Sequence, residues 1–374
     1  MKIAPFGVEQ WMNKWETRCE INLAETCVTS LTIEELLRLA GKTQEMPGDL
    51  ARMKMTYGDI PGSDALRAAV AALYADQSSD NVMITHGTIG ANALIYQTLV
   101  SRGDKVVSIT PTYQQHTSIP ESIGAELHTL RLLVEDGYLP NLDRLEELVG
   151  TDTVIITLTN PNNPTGAVID RAGLERIAEI AKASDAWVLC DEVYRGTEQV
   201  GEGPGVSIAD VYAKGISTGS TSKAFSLAGL RLGWIVGPES LMHDVEIHRD
   251  YNTISVGLID DYFATMALEN VDAILERSRR ITRENLAILD DWVQGERSIS
   301  YVKPAGGTTA LLRYALNMPS YELCEAVIRD TGVMLTPGSV MGMEGTLRIG
   351  FANETQALKD GLPRLSEWFS KQSA

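Results

Sequence analysis

Residues 153–166, TVIITLTNPNNPTG, form an apolar, β-rich run that ends in a polar turn punctuated by prolines. The same pattern recurs on both sides, in KVVSITP (105–111), AWVLCDEVY (186–194) and GISTGSTSK (215–223). Helical stretches such as DALRAAVAALY (64–74), whose apolar residues follow the 3.6-residue period, separate these runs. The alternation of strands and helices predicts an α/β fold with a mostly parallel sheet flanked by helices.

The pattern changes after about residue 250. A long helical stretch is followed by YVKPAGGTTALLRY (301–314) and TLRIGFA (346–352), which predict strands of a second domain. We therefore expect a large domain over residues 45–250 and a smaller α+β domain built from residues 1–44 and 251–374. The N-terminal segment should join the smaller domain or cover the site.

The composition argues against several classes of partner. A net charge of −18 disfavours nucleic acid, because neutralising phosphates requires clustered lysine and arginine. The 5 histidines lie apart and the 4 cysteines form no CxxC pair, so we expect no metal site and reduced thiols. No apolar run is long enough to span a membrane, and the first residues lack a signal-peptide core. These features favour a cytoplasmic enzyme.

Polar clusters lie at the carboxyl ends of the expected strands, where parallel sheets place functional groups. THGTIGAN (85–92) puts a glycine turn at a helix start, which suits a phosphate but is more often a simple helix start. Asn163 lies in a turn between prolines, and it can present a rigid amide donor to a ligand oxygen. The alternative is that this segment is an ordinary turn with no ligand. Asp191 directly follows an apolar strand, so a buried carboxylate there needs a cationic or hydrogen-bonded partner.

Lys223 follows a run of hydroxyl residues and precedes Arg231. The segment lacks the glycine that precedes the lysine of a phosphate P-loop, so that interpretation fails. A lysine in a partly desolvated site has a lowered pKa and can form a Schiff base. Ser220, Ser222 and Arg231 would then bind a phosphate dianion, with the arginine as a bidentate donor.

In order and spacing these segments, with LAGLRLGW (227–234) and LRIGFA (347–352), resemble the class I/II aminotransferases, which are fold-type I enzymes. The resemblance extends through nearly the whole chain. It implies an enzyme that binds pyridoxal 5′-phosphate (PLP) through Lys223, which also moves the Cα proton of an amino acid substrate. It also implies a homodimer with shared active sites, in which Tyr57 reaches the phosphate bound by the partner subunit.

The resemblance assigns further roles by position. Asp191 keeps the pyridine nitrogen of the cofactor protonated, and Arg348 binds the α-carboxylate of the substrate. Asn163 and Tyr194 hydrogen-bond the O3′ atom of the cofactor, and Tyr113 stacks on its ring. The residues assigned to the phosphate are Gly87, Thr88, Ile89, Ser220, Ser222 and Arg231.

Three features depart from an ordinary aminotransferase. INLAETCV (21–28) carries Thr26 where the family usually has a glycine, and PAGGTT (304–309) carries threonines where many members have an aromatic residue. Residues 6–36 resemble the start of the capreomycidine synthase family, PLP-dependent cyclases that act on hydroxylated arginine.

The cyclase resemblance implies a pocket with carboxylates for a substrate guanidinium and for protonating a leaving hydroxyl. Glu9 and Glu25 are the candidates, and Thr26 should line the pocket. Alternatively, Glu9 merely solvates an N-terminal helix.

Two reactions stay open. The first is cyclisation of a hydroxylated L-arginine, of the capreomycidine or enduracididine type, by dehydration and re-addition of the guanidine. The second is ordinary transamination, since the same lysine, aspartate, asparagine and arginine serve both reactions; a PLP β-lyase is a lesser option. A regulatory ligand-binding domain of the same fold is disfavoured because the chain has no basic patch. We favour the cyclase.

Overall fold

The computed structural model describes residues 2–372. Its helices are α1 Gly7–Trp15, α2 Ile33–Leu39, α3 Met46–Arg52, α4 Asp64–Ala71, α5 Gly87–Leu99, α6 Gln115–Ile123, α7 Leu142–Leu148, α8 Arg171–Ala183, α9 Glu239–Asp250, α10 Leu258–Glu269, α11 Val271–Gly295, α12 Ser320–Thr331 and α13 Thr355–Gln372. Its strands are β1 Ile21–Asn22, β2 Val82–Thr85, β3 Lys105–Thr110, β4 Glu126–Arg131, β5 Thr153–Thr159, β6 Trp187–Asp191, β7 Gly215–Ser220, β8 Gly233–Val236, β9 Ile299–Tyr301, β10 Thr309–Tyr314, β11 Val333–Met334, β12 Thr336–Pro337 and β13 Thr346–Gly350.

A seven-stranded sheet has the strand order β2-β8-β7-β6-β5-β3-β4. Strands β3 to β7 pair in parallel, whereas β8 lies antiparallel to both of its neighbours, β2 and β7. The predicted α/β fold with a mostly parallel sheet is therefore confirmed.

Helices cover both faces of this sheet, so its central strands are buried along nearly their whole length. Successive side chains of a strand point to opposite faces. Accordingly Ile156 and Val188 pack in one buried cluster with α8, while Ile155 and Leu189 pack in another with α5. The central strands are thereby fixed from both sides, and their polar ends are held in place.

A second core forms around a four-stranded antiparallel sheet of order β12-β13-β10-β9. Helices α11, α12 and α13 contribute to it, and so do Trp11, Leu23 and Ala24 of the N-terminal segment. Leu36 and Leu37 of α2 pack instead with residues of α4 and α10. The N-terminal segment thus crosses from one core to the other, and the boundaries at residues 45 and 250 stay a prediction.

Trp11 anchors α1 in the second core. It is 1% exposed, and its indole Nε1 donates to the Leu335 carbonyl at 2.8 Å. We expect Trp11→Ala to lower the free energy of unfolding by about 3–5 kcal/mol, because it empties a large buried volume. Trp11→Phe keeps a ring but leaves the carbonyl unpaired, and should cost about 1–3 kcal/mol. Denaturant unfolding followed by circular dichroism measures both; equal stability of Trp11→Ala and wild type would contradict this anchoring.

No helix within residues 2–372 is long and apolar enough to cross a membrane. In the same range, no group of three or more His, Cys, Asp or Glu side chains is arranged to hold a metal ion.

Candidate active site

The carboxyl ends of the parallel strands β5, β6 and β7 meet at one edge of the large sheet, as expected for neighbouring parallel strands. They border a cavity of about 410 Å³ that also contacts α1, the start of α5 and β13. The cavity is lined by these sequence-predicted residues: Glu9, Glu25, Thr26, Thr88, Ile89, Tyr113, Asn163, Asp191, Tyr194, Ser220, Ser222, Lys223, Arg231 and Arg348.

Two predicted residues do not line this cavity. Gly87 lies behind its wall, where a Cβ atom would come within 3.3 Å of a guanidinium nitrogen of Arg231. Its φ of +65° also favours glycine. Tyr57 is 78% exposed, and its expected role requires a partner subunit, so that role stays a prediction.

A second cavity, of about 480 Å³, shares Asn163 and Arg348 with the first. Neither Lys223 nor Asp191 lines it. We therefore place the chemistry in the smaller cavity.

The Lys223 amino group is buried against the N-terminal segment. Its Nζ atom donates to Thr26 Oγ1 at 2.7 Å and to Cys27 Sγ at 3.4 Å. Burial alone would lower the pKa of Lys223, but Cys27, Tyr194 and Glu25 together raise it above its ordinary value. The expectation of a lowered pKa is wrong for the free amino group of Lys223, because these neighbours outweigh the effect of desolvation. Cys27 had no distinguishing sequence signal, since it meets Lys223 only through the fold.

Glu25 organises the turn that faces the lysine. Its Oε1 atom accepts hydrogen bonds from the backbone N–H groups of Thr26 at 2.7 Å and Cys27 at 2.8 Å. Burial raises the pKa of Glu25, but Lys223 and these N–H donors outweigh that effect and leave it below the ordinary value. Since these donors occupy one carboxylate oxygen, Glu25 is less free than expected to bind a substrate.

Asp191 is buried at the end of β6 within a network that the sequence did not reveal. Its Oδ2 atom accepts from Asn92 Nδ2 at 2.9 Å and lies 3.6 Å from His116 Nε2. The other ring nitrogen of His116 is 2.8 Å from the Tyr96 hydroxyl, and Thr218 Oγ1 donates to Asn92 at 2.7 Å. Asn92 lies one helical turn after Thr88, in the quoted glycine motif, so its spacing offered a signal; His116 and Tyr96 offered none.

Arg348 is 3% exposed, and no carboxylate of residues 2–372 forms an ion pair with it. Its guanidinium donates to Asn163 Oδ1 at 3.3 Å and to Thr336 Oγ1 at 3.2 Å, while its Nε atom has no partner among the residues that the structure describes. Burial, the largest influence, lowers the pKa of Arg348. A buried cation with neutral partners is costly, so this position favours an anionic ligand.

Carboxylates lie on the face of α1 that lines the cavity. Glu9 accepts a hydrogen bond from the Tyr113 hydroxyl at 3.0 Å. Glu16, at the end of α1, also lines the cavity; it lies two helical turns after Glu9, a spacing that could have identified it. Partial desolvation, followed by the neighbouring Glu25 and Glu9, raises the pKa of Glu16, which is otherwise exposed. The cavity therefore carries cationic groups on β13 and after β7, and acidic groups on α1 and at its C-terminal end, besides Glu25 and Asp191.

The donors around the start of α5 fit a phosphate. Within the described part of the chain, Thr88 Oγ1 is buried without a hydrogen-bond partner. A Cβ atom on Gly233 would lie 2.4 Å from the Gly87 carbonyl carbon and 2.6 Å from the Thr88 nitrogen, so β8 packs directly against this helix start. With the hydroxyls of Ser220 and Ser222 and the guanidinium of Arg231, this edge offers the donor set that a phosphorylated cofactor needs.

The profile of the family "Aminotransferase class I and II" matches residues 28–362, and the chain belongs to this family. It is 31% identical to capreomycidine synthase from Streptomyces vinaceus, over 96% of this chain and 92% of that protein.

Two solved structures extend the comparison. A PLP-dependent aminotransferase from Streptococcus suis 89-1591 is 40% identical, with a TM-score of 0.96 over 100% of this chain and 99% of that chain. The PLP-dependent cyclase OrfR is 25% identical, with a TM-score of 0.91 over 99% of this chain and 98% of that chain. The predicted family, the fold-type I architecture and the dependence on PLP are confirmed; the chain is a PLP-dependent enzyme.

Proposed function

We propose that the enzyme cyclises a hydroxylated L-arginine by loss of water and addition of a guanidine nitrogen, without a keto acid. The observation that carries the choice of substrate class is the charge arrangement of one cavity, which is lined by the cationic Lys223 and Arg348 and by Glu9 on α1 and Glu16 at its C-terminal end. An α-amino acid with a cationic side chain matches that arrangement. The similarity to capreomycidine synthase and to the cyclase OrfR supports the same conclusion.

In this proposal the residues at the strand ends hold the cofactor. Asp191 would contact the pyridine nitrogen, Asn163 and Tyr194 the O3′ atom, and Tyr113 the ring face. The phosphate would be held by Thr88, Ser220, Ser222, Arg231 and the backbone of Gly87 and Ile89. When bound, PLP supplies an electron sink for the electron pair left at the substrate Cα.

Other side chains of the cavity would bind the substrate and transfer protons. Arg348 binds the α-carboxylate, and Lys223 removes the Cα proton and later returns a proton to Cα. Glu9 holds the guanidinium. Glu16, whose pKa is raised, donates a proton to the departing hydroxyl, which leaves as water. A guanidine nitrogen then bonds to the carbon that lost the hydroxyl and gives up one proton to the Glu16 carboxylate.

Ordinary transamination is the second candidate. Lys223, Asp191, Asn163 and Arg348 serve that reaction equally well, and the 40% identity to the Streptococcus suis aminotransferase favours it. The carboxylates on α1 do not separate the two reactions, because an arginine aminotransferase would use them as well.

The decisive experiment incubates the holoenzyme with 3- and 4-hydroxyarginine in deuterated water, without a keto acid. We expect a product lighter than its substrate by one water and carrying deuterium at Cα or the neighbouring carbon, detected by mass spectrometry and NMR. Arginine is the matched control: it has no hydroxyl to lose, so only exchange of its Cα hydrogen is expected. Formation of a keto acid with pyridoxamine phosphate, and no dehydration, would contradict cyclisation and establish transamination.

We also propose that the enzyme is a cytoplasmic homodimer in which Tyr57 completes the phosphate site of the partner subunit. Tyr57 is 78% exposed and Met55 is 80% exposed, and large apolar side chains in such positions are typical of interfaces. The division into a large domain over residues 45–250 and a smaller domain from the remaining segments belongs to this proposal.

A further inference from the structure

We propose that Thr26 and Cys27 form a docking site for the Lys223 amino group whenever that group is not bonded to the cofactor. Thr26 Oγ1 accepts a hydrogen bond from Nζ at 2.7 Å, and Cys27 Sγ lies 3.4 Å from the same atom. Both acceptors come from the N-terminal segment, far from Lys223 in the chain. The docking site serves cyclisation and transamination alike, since either reaction frees the lysine when substrate binds.

The docking site is held in place by contacts that do not involve the Lys223 amino group. Glu25 Oε1 accepts the backbone N–H groups of Thr26 and Cys27, and Thr308 Oγ1 donates to the Thr26 carbonyl at 2.7 Å. A Cβ atom on Gly350 would lie 1.7 Å from the Glu25 carbonyl oxygen, so β13 packs directly against this segment. The Thr26 hydroxyl is thus preorganised as an acceptor.

The charged and titratable groups around Nζ favour its protonated form. Cys27, Tyr194 and Glu25 raise the pKa of Lys223 in spite of its burial, and Glu16 on α1 also interacts electrostatically with it. A protonated amine is not a nucleophile, so a docked lysine does not attack the aldehyde carbon of the cofactor. Docking therefore competes with covalent capture of PLP.

This competition predicts that damage to the docking site accelerates capture. Loss of one hydrogen bond to a charged group lowers the pKa of the lysine by about one unit, which raises its neutral fraction about tenfold. Apoenzyme carrying Thr26→Val should therefore react with PLP about tenfold faster than wild type at mildly alkaline pH, as followed by absorbance. A merely structural defect would slow the reaction, so the sign of the change separates the two roles.

Thr26→Ser retains the hydroxyl and should capture PLP at the wild-type rate. Competitive acetylation of the apoenzyme at one mildly alkaline pH, quantified at the Lys223 peptide by mass spectrometry, compares the neutral fraction of this lysine between variants. We expect Lys223 to be acetylated about tenfold faster in Thr26→Val than in wild type, and at the wild-type rate in Thr26→Ser. Equal acetylation of Lys223 in Thr26→Val and wild type, or slower capture of PLP, would overturn the proposal.

Cys27→Ala provides an independent test should Thr26→Val fail to fold, as judged by circular dichroism. This variant should also speed up the reaction with PLP and the acetylation of Lys223. The increase should be smaller than in Thr26→Val, because a thiol is a weak hydrogen-bond acceptor. Neither measurement requires turnover, so the docking proposal can fail while the cyclase proposal stands, and the reverse.

Discussion

Lys223→Ala is expected to lower turnover of any amino acid substrate by at least about 10⁴-fold, because in the proposed function Lys223 is both the covalent attachment point of the cofactor and the base. No other lysine of residues 2–372 lines the cavity, so no neighbouring amine can take over either role. The loss should appear in kcat/KM with the best substrate found. It should also remove the absorbance change that reports covalent binding of PLP.

Lys214→Ala is the matched control for this variant. Lys214 lies on the turn before β7, pairs with Asp185 at 2.7 Å and does not line the cavity. We expect near-wild-type turnover from it. If Lys223→Ala kept turnover within about tenfold of wild type, a residue other than Lys223 would have to carry the chemistry.

The large sheet could be predicted because its signals are local. Strands β5, β6 and β7 each appear in the sequence as a short β-rich run that ends in polar residues or glycine. The insertion of β8 antiparallel between β2 and β7 could not be predicted, since a short apolar run does not specify its partner. The two-residue strands β1 and β11 exist only through their pairing with each other.

The residues of the site also differ in whether local sequence patterns could identify them. Residues that follow a strand, such as Asn163 and Asp191, could be grouped in advance because parallel strands end at one edge. Cys27, His116 and Glu16 were missed since their importance rests on contacts between distant segments or across a helix face. Local patterns therefore identified most of the groups that line the cavity but not the contacts that position them.

Asp191 is held rigidly at the end of β6. Its Oδ2 atom accepts from Asn92 Nδ2 at 2.9 Å and its Oδ1 atom accepts from the Val193 backbone N–H at 3.2 Å. Thr218 in turn fixes the Asn92 amide. Asp191 is 4% exposed, so a cation placed against its carboxylate would be screened very little by solvent.

Asp191→Asn is expected to lower kcat by about a hundred- to a thousand-fold, since it removes the negative charge proposed to face the pyridine nitrogen of the cofactor while keeping the side-chain shape. Steady-state kinetics measures the loss, and circular dichroism confirms that the fold is intact. Glu192→Gln makes the same chemical change one residue later, in a buried carboxylate that bonds Ser207 and Ser217 and does not line the cavity. Its kcat should stay near the wild-type value. Equal losses in the two variants would mean that the Asp191 charge has no special role and that disturbed packing at the end of β6 explains both.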